Sequence, residues 1–505
     1  MKILFLPMFK LASWRLRQYV GDWPQIQSKS PLKFSVAALI WSLALFNSSG
    51  LQADFLPNAV SQNLAKYQIP ESAFSLLVLD ADTSKIVVEH LADEPRNPAS
   101  VMKILTSYAA LDLLGPDFNW KTQLFTDSAI KDGTLSGNLF IKGGGDPLIL
   151  VEDLWRIVYE LRNRGLHTIN GDLTVDQSYF DGTQIVREPL DGKHYRAYNA
   201  YPEALVINFR ATRFIFIANA DGVHILADPP ASTLLIKNNV QLTKGKCNRH
   251  HRNLRFSTQT EGLAETIITF SGNYAIGCKE QSRTLVVLNS SDYLLGVFKS
   301  LWQAQGGKFD GEISQSDIPP NAILLQEHSS RPLLDVLRGI NKYSNNLMAR
   351  SLLMTLGAEV YDPPGTTESG RIAIKSWLNT RKISMPELHI TNGAGLSRAA
   401  RLSARGLGNL MIDLYRHPWR EELLASMSLL GIDGSAKKRL RKKSARGYFR
   451  LKTGLLRSVR SAAGFGLTKS GKRVVVVMLQ NHPNTNYSNG NAIQNSLLEW
   501  VFDNY

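Results

Sequence analysis

Cysteine is scarce in this chain of 505 residues, which contains only Cys247 and Cys278. Two cysteines cannot supply the four ligands of a structural zinc site, and the ten histidines show no metal-ligand spacing. The sequence therefore predicts no metal site. In an oxidising compartment the two cysteines can form one disulfide, and this is favoured over two free thiols.

Long apolar runs are also missing. The longest apolar segment, residues 34–46, has thirteen residues, too few to span a bilayer comfortably. Lys33 precedes it, and small and polar residues follow as far as Ala53. This pattern is typical of a secretory signal, so residues 1–53 are expected to be a leader that directs export. An uncleaved anchor is the alternative.

Acidic residues are outnumbered, with 43 against 58 basic ones, which gives a formal net charge of +15. An excess of this size suggests an anionic partner such as a wall polymer or a membrane surface, although it can also serve solubility alone. The densest run, residues 437–443, has no interleaved aromatic residues, and with export this argues against nucleic acid. It is either a solvated loop or a segment that attracts an anionic wall polymer or lipid.

Two common hydrolase signatures are absent: the Gly-x-Ser-x-Gly elbow and the His-Glu-x-x-His zinc helix. A different catalytic pattern is present at residues 97–105. Asn97 can cap a helix there, and Ser100 and Lys103 are three residues apart, so their side chains share one face. A lysine kept uncharged by burial or neighbouring cations could take the serine proton, and free N–H groups of the first turn could stabilise a developing negative charge.

Ser-x-x-Lys alone is weak evidence, because it also begins at Ser30, Ser128 and Ser435. Only the copy at Ser100 opens a long predicted helix, which is expected to be amphipathic and to end at Gly115.

Two further patterns follow along the chain. Ser344-x-Asn346 lies at the predicted start of a helix, where it can supply a hydroxyl and an amide. Lys452-Thr453-Gly454 ends a predicted strand, where a cation, a hydroxyl and a close backbone approach suit a substrate with a terminal carboxylate. The similar residues 469–471 are interpreted as a hairpin turn between two strands.

In this order the three patterns form the signature of penicillin-binding proteins and serine β-lactamases. The separation of 241 positions from Lys103 to Ser344, and segments such as GNLFIKGGGDPL, GDLTVDQSYFDG and NGAGLSRAARLSA, resemble the D-alanyl-D-alanine carboxypeptidase/endopeptidase family. These are low-molecular-mass penicillin-binding proteins of the periplasm that need no metal or organic cofactor. The resemblance covers nearly the whole chain after the leader.

The resemblance implies an α/β (α+β) transpeptidase-like domain with an antiparallel sheet flanked by helices, plus two nested β-rich inserts. The catalytic domain is expected at residues 54–120 and 326–505. The first insert is expected at residues 121–149 and 240–325, with the second insert nested within it at residues 150–239. A predicted strand at residues 204–209 falls in the second insert.

The implied reaction is cleavage of the bond between the last two D-alanines of a peptidoglycan stem peptide. Ser100 would form the acyl-enzyme, Lys103 would be the general base, and Ser344 would relay the proton to the leaving group. Penicillin and other β-lactams would acylate the same serine.

The substrate-binding residues implied are Asn346 for the peptide backbone, and Lys452 and Thr453 for the terminal carboxylate. Gly454 would allow close approach of the strand. The N–H of Leu455, with that of Ser100, would form the oxyanion hole.

The chain departs from the family pattern at two places. Leu455 stands where a serine or threonine commonly follows Lys-Thr-Gly, and Asn392 and Ala394 stand where the family commonly has aspartate and serine. Two hypotheses follow: an active D,D-peptidase, or a catalytically weak scaffold that binds penicillin and the wall. A β-lactamase or esterase is a third.

Overall fold

The computed structural model describes residues 55–185, 189–247, 253–261, 265–485 and 487–505. The predicted leader lies outside these ranges. No helix within them is both long and apolar enough to cross a bilayer. The helices are α1 (Asn58–Lys66), α2 (Lys103–Leu114), α3 (Val151–Asn163), α4 (Ser290–Ala304), α5 (Leu333–Lys342), α6 (Asn346–Tyr361), α7 (Thr367–Thr380), α8 (Ala404–Arg416), α9 (Arg420–Ser426) and α10 (Tyr487–Asn504). The strands are β1 (Phe74–Asp80), β2 (Ile86–His90), β3 (Lys121–Thr126), β4 (Ile130–Lys131), β5 (Thr134–Leu135), β6 (Leu139–Lys142), β7 (Thr168–Ile169), β8 (Leu173–Asp176), β9 (Thr212–Asn219), β10 (Gly222–Asp228), β11 (Leu234–Lys246), β12 (Arg255–Glu261), β13 (Glu265–Gly277), β14 (Glu280–Leu285), β15 (Lys308–Phe309), β16 (Ile313–Gln315), β17 (Ile323–Ser329), β18 (Ser428–Leu429), β19 (Phe449–Leu456), β20 (Val459–Leu467) and β21 (Arg473–Asn481).

A six-stranded antiparallel sheet joins the two ends of the chain, in the order β18-β19-β20-β21-β1-β2. Its centre is apolar on both faces because helices cover both sides. On β21, Val475 and Val477 belong to the core shared with α2 and α5–α9, whereas Val474 and Val476 belong to the core shared with α1 and α10. A continuous valine run is what a strand buried on both faces requires. The predicted antiparallel sheet flanked by helices is confirmed.

Helix α2 lies at the centre of this domain. We expected it to be amphipathic, but every residue from Lys103 to Leu111 is buried. The amphipathic prediction is therefore wrong: α2 packs against α5, α6 and α7, and the turn before it packs against β19 and β20, so no side of its first nine residues faces water. Gly115, with φ +84°, ends the helix as predicted.

Residues 121–329 carry the other sheets of the described chain. One has five strands in the order β16-β8-β6-β3-β17 and one has four in the order β15-β7-β5-β4. Two have three strands, β10-β9-β14 and β11-β13-β12. The five-stranded sheet takes strands from both predicted inserts, and the boundary between the inserts stays a prediction.

The predicted disulfide is confirmed. Cys247 and Cys278 are bonded, with their Cα atoms 4.5 Å apart. The bond joins the end of β11 to the end of β13, two strands that pair in parallel.

The strand predicted at residues 204–209 is not formed. Residues 204–207 are buried, but Asn208 and Phe209 both have positive φ and form a short 3₁₀ turn. The Gln177 side chain binds both the N–H and the carbonyl of Leu205, at 2.9 and 3.4 Å. A side chain thus occupies the backbone groups that a partner strand would have used.

Candidate active site

Ser100 lies on a 3₁₀ turn, Ala99–Met102, that leads directly into α2. Asn97 holds the entry to this turn, because its Oδ1 accepts the N–H of Ala99 at 2.9 Å and its Nδ2 donates to the carbonyl of Ser397 at 2.8 Å. The predicted capping residue therefore fastens the nucleophile's turn to a distant loop as well as to its own backbone.

The Lys103 amine is buried among three oxygen atoms. Its Nζ lies 3.1 Å from Ser100 Oγ, 2.7 Å from Asn346 Oδ1 and 2.6 Å from the carbonyl oxygen of Ala394. Burial holds the pKa of Lys103 well below its usual value, and the nearby charge of Lys452 lowers this pKa further. The uncharged amine is therefore reached at a lower pH than in an exposed lysine.

The three contacts fix the orientation of that uncharged amine. Asn346 Nδ2 donates to the carbonyl of Tyr198 at 3.0 Å, so Asn346 must present its oxygen to Lys103. This oxygen and the carbonyl of Ala394 can only accept hydrogen bonds. A neutral amine has two protons, which these two oxygens take, and its lone pair is left facing the Ser100 hydroxyl. This is the geometry of a general base and its nucleophile.

Ser344 and Lys452 form the second part of the site. Ser344 precedes α6 in a left-handed conformation, with φ +61°. The fully buried Lys452 donates from Nζ to Ser344 Oγ at 2.9 Å and to the carbonyl of Thr453 at 2.8 Å. Burial lowers the pKa of Lys452 to about 7. Lys452 thus carries a partial positive charge near neutral pH, directly behind the Ser344 hydroxyl.

Strand β19 approaches the nucleophile's turn closely at Gly454. A Cβ at this position would lie 2.1 Å from Ser461 Oγ and 2.7 Å from the carbonyl oxygen of Pro98. Glycine is therefore required for β19 to pass beside the Ser100 turn. The following residue, Leu455, is 49% exposed at this edge.

A cleft of about 980 Å³ brings most of the predicted residues together. Its wall includes Ser100, Ser344, Asn346, Thr453 and Leu455. The other three predicted residues, Lys103, Lys452 and Gly454, lie behind this wall and contact its members.

Sequence reasoning missed two residues of the cleft. Ser435, set aside as another Ser-x-x-Lys copy, lines the cleft, where Thr453 Oγ1 donates to its Oγ at 2.7 Å. Tyr198, from the inserted region, also lines it and binds Asn346 through its carbonyl. The turn-forming pair Asp433-Gly434 was the only local signal near Ser435, and nothing in the sequence around Tyr198 points to Asn346.

The departure at Asn392 supports the site rather than weakening it. Asn392 Oδ1 accepts the N–H of Ala394 at 3.2 Å, and its Nδ2 donates to the carbonyl of Leu396 at 2.9 Å. Asn392 thus holds the loop whose Ala394 carbonyl binds Lys103. An ionised aspartate could accept the first bond but could not donate the second.

Residues 56–503 match the D-Ala-D-Ala carboxypeptidase 3 (S13) family. The chain belongs to this family. The S13 assignment confirms the resemblance drawn from the motifs, together with the class of serine peptidase.

Individual relatives of the S13 family are distant but match along most of the chain. A D-alanyl-D-alanine carboxypeptidase of Actinomadura sp. (strain R39) is 24% identical over 459 residues, covering 87% of this chain and 84% of the relative. The D-alanyl-D-alanine carboxypeptidase DacB of Haemophilus influenzae is 25% identical over 434 residues, covering 82% and 86%. The crystal structure of penicillin binding protein 4 from Haemophilus influenzae has a TM-score of 0.74 at 23% identity, over 89% of this chain and all of that one. This structural likeness supports the fold.

Proposed function

We propose that this protein is an exported, periplasmic serine D,D-peptidase that is also acylated by penicillin. It hydrolyses the terminal D-Ala-D-Ala bond of peptidoglycan stem peptides and the D,D-cross-links between them. The observation that carries the proposal is the position of Lys103 Nζ, which lies 3.1 Å from Ser100 Oγ and within hydrogen-bonding distance of the carbonyl oxygens of the Asn346 side chain and of Ala394.

Acylation begins when Ser100 Oγ attacks the carbonyl carbon between the two D-alanines and its proton moves to Lys103 Nζ. The carbonyl oxygen becomes an oxyanion, held by the N–H groups of Ser100 and Leu455; each such donor is worth roughly 3–4 kcal/mol in comparable sites. The C–N bond then breaks as Ser344 gives its hydroxyl proton to the nitrogen of the leaving D-alanine, and Ser344 takes back the proton held by Lys103, which becomes neutral again. Water repeats the sequence on the Ser100 ester and releases the shortened peptide.

Substrate recognition relies on the terminal carboxylate. Thr453 lines the cleft and offers its hydroxyl, and the buried Lys452 contributes positive charge from behind Ser344. The carboxylate of penicillin satisfies the same groups. Asn346 binds Lys103 and Tyr198 through its side chain, and it also borders the cleft where the peptide backbone lies.

The test is labelling with a fluorescent penicillin followed by gel electrophoresis. Wild type should form a stable adduct and Ser100→Ala should form none. Ser128→Ala removes the serine of another Ser-x-x-Lys copy and should label like wild type. No adduct on folded wild type would replace the peptidase with a scaffold that binds the wall without being acylated, and rapid loss of the adduct would indicate a β-lactamase.

The balance of peptidase activities needs natural substrates. D-alanine release from a pentapeptide measures carboxypeptidase activity, and the splitting of a purified cross-linked dimer measures endopeptidase activity. Both should depend on Ser100. A wild type that releases D-alanine but leaves the dimer intact would remove the cross-link part of the proposal.

We also propose that the basic run contacts the anionic wall polymer. A cavity of about 370 Å³, the basic cavity, is lined by Gly431, Ile432, Lys437, Arg441, Lys442 and Arg446. Within the described part of the chain, none of its four cations is paired with a carboxylate, whereas the neighbouring Lys443 pairs with Glu499 at 3.0 Å. Unpaired like charges around one cavity favour an anionic ligand. Lys437 is only two residues from Ser435 of the catalytic cleft, which favours the substrate polymer over a lipid.

This contact can be tested by replacing the four cations of the basic cavity with glutamine. A control variant removes four charges at exposed lysines elsewhere: Lys131, Lys237, Lys244 and Lys279. Only the first variant should lose binding to purified wall sacculi at low salt, and both should retain penicillin labelling. Unchanged sacculus binding by the first variant would refute the contact. If that variant keeps sacculus binding but loses binding to phosphatidylglycerol vesicles, the cavity is assigned to a membrane.

A further inference from the structure

A chain of hydroxyl groups leads away from the cleft behind Thr453. Thr453 Oγ1 lies 2.7 Å from Ser435 Oγ, and Ser435 Oγ lies 3.2 Å from Ser428 Oγ. Ser428 is fully buried, and its Oγ is 3.1 Å from the carbonyl oxygen of Lys342. Nothing in the three catalytic patterns requires Ser435 or Ser428, so the chain of hydroxyls calls for its own explanation.

The direction of each hydrogen bond follows from the end of the chain. A carbonyl oxygen can only accept a hydrogen bond, so the single hydroxyl proton of Ser428 is donated to the carbonyl oxygen of Lys342. Ser435 must then donate to Ser428, and Thr453 donates to Ser435. In this arrangement Thr453 turns only lone pairs toward the cleft, which is the wrong polarity for a carboxylate.

The turn that carries Ser435 is firmly held. The backbone N–H of Ser435 donates to Ser428 Oγ at 3.1 Å, and the preceding Gly434 has φ +54°. Next to it, Lys342 Nζ and Asp433 Oδ2 form an ion pair at 2.7 Å. Ser435 can therefore rotate its hydroxyl proton without any movement of the backbone.

We propose that Ser435 is a positioning residue that switches from accepting the Thr453 proton to donating its own. When the terminal carboxylate enters, Thr453 donates to it, and Ser435 donates to Thr453 Oγ1 across the same 2.7 Å contact. Ser435 gives up only the longer 3.2 Å contact with Ser428 Oγ, which still accepts the N–H of Ser435. Every hydroxyl keeps an acceptor in both states, and the chain polarises Thr453 toward the anion.

The switch rests on the proposed D,D-peptidase function and explains how this chain manages with Leu455. A serine or threonine at position 455 would bring a second hydroxyl to the carboxylate. Because position 455 is leucine here, the carboxylate depends on the hydroxyl of Thr453 at that strand edge. The Thr453 proton must therefore be available when substrate binds.

The test compares Ser435→Ala and Ser435→Thr on two peptides ending in D-Ala-D-Ala, one with a free carboxylate and one with a C-terminal amide. Ser435→Ala should raise KM for the carboxylate peptide by about 10-fold and change kcat by less than about 2-fold, because the lost hydrogen bond acts on anion binding. KM for the amide peptide should stay within about 2-fold. Ser435→Thr keeps the hydroxyl and should restore wild-type KM.

A second set of variants shows whether Ser435 acts through Thr453. In a Thr453→Val background, Ser435→Ala should have no further effect on KM, since the hydroxyl it supports is gone. Three results would overturn the switch. Ser435→Ala could raise KM equally for both peptides, it could leave KM for the carboxylate peptide unchanged, or it could raise KM as much in the Thr453→Val background as in wild type. If wild type itself is not acylated by penicillin, the proposed function fails; if it is acylated and Ser435→Ala behaves like wild type, only this inference fails.

Discussion

Replacing Lys452 by methionine should stabilise the protein while impairing its activity. Burial lowers the pKa of Lys452 from 10.5 to about 7, so keeping this amine in the folded protein costs roughly 4 kcal/mol at pH 7. Methionine fills a similar volume without that cost. It loses two hydrogen bonds, to Ser344 and to the carbonyl of Thr453, worth about 1 kcal/mol each. The balance is a gain of roughly 2 kcal/mol in the free energy of unfolding.

The pH dependence carries the sharper test. A lysine whose pKa is lower in the folded than in the unfolded state destabilises the protein fully below pH 7, and this cost vanishes as pH approaches 10.5. Urea unfolding, followed by tryptophan fluorescence at pH 6, 7, 8 and 9.5, should therefore show the advantage of Lys452→Met shrinking as pH rises. Lys452→Gln, which keeps a polar group near Ser344, is the control for the lost hydrogen bonds.

Catalysis supplies a second readout of the same variant. The charge of Lys452 helps to lower the pKa of Lys103, so its removal should move the rising limb of penicillin acylation to higher pH. A Lys452→Met protein that is less stable than wild type at every pH, with an unshifted acylation profile, would show that burial of the Lys452 amine does not destabilise the folded protein.

Three other perturbations have defined outcomes. Lys103→Arg keeps a charge that cannot be removed and should slow penicillin acylation by roughly 10²–10⁴-fold, whereas wild-type acylation, followed by stopped-flow, should reach half its maximum well below pH 10.5. Gly454→Ala forces a Cβ to within 2.7 Å of the Pro98 carbonyl oxygen, so it should lower stability by roughly 1–3 kcal/mol and slow acylation; wild-type values in both assays would contradict the close approach. Cys247→Ser with Cys278→Ser opens a link between positions 31 apart and should cost about 3–4 kcal/mol in denaturant unfolding with Ser100 labelling intact, and an unchanged unfolding midpoint would contradict this.

The meeting of the predicted site residues at one cleft was predictable because each belongs to a short pattern with a geometrical requirement. Ser100 and Lys103 share a face of one turn, Ser344 precedes a helix, and Gly454 permits a close approach by a strand. The order of these patterns indicated the fold class. The fold class in turn predicted that residues from distant patterns meet at one site, which local sequence could not do. The central strand β21 was similarly predictable from the sequence, since its valine run suits burial on both faces.

The misses have a different cause: each depends on contacts between distant parts of the chain. Helix α2 lost its expected polar face because the helices around it come from residues more than 200 positions away. The strand predicted at residues 204–209 was displaced by the side chain of Gln177. Ser435 gains its role only through Thr453, on a strand that begins 14 residues later. No local periodicity encodes any of these contacts.

The hydrogen bond from Asn346 Nδ2 to the carbonyl of Tyr198 links the region between β3 and β17 to the amide that contacts Lys103. Trimming the protein to the size of a simple β-lactamase would remove Tyr198 and free the Asn346 amide to rotate. Its nitrogen could then face Lys103. The amide N–H would donate to the lone pair of the Lys103 amine and turn that lone pair away from Ser100. The region between β3 and β17 thus fixes the orientation of one amide beside Lys103 in addition to forming its own sheets.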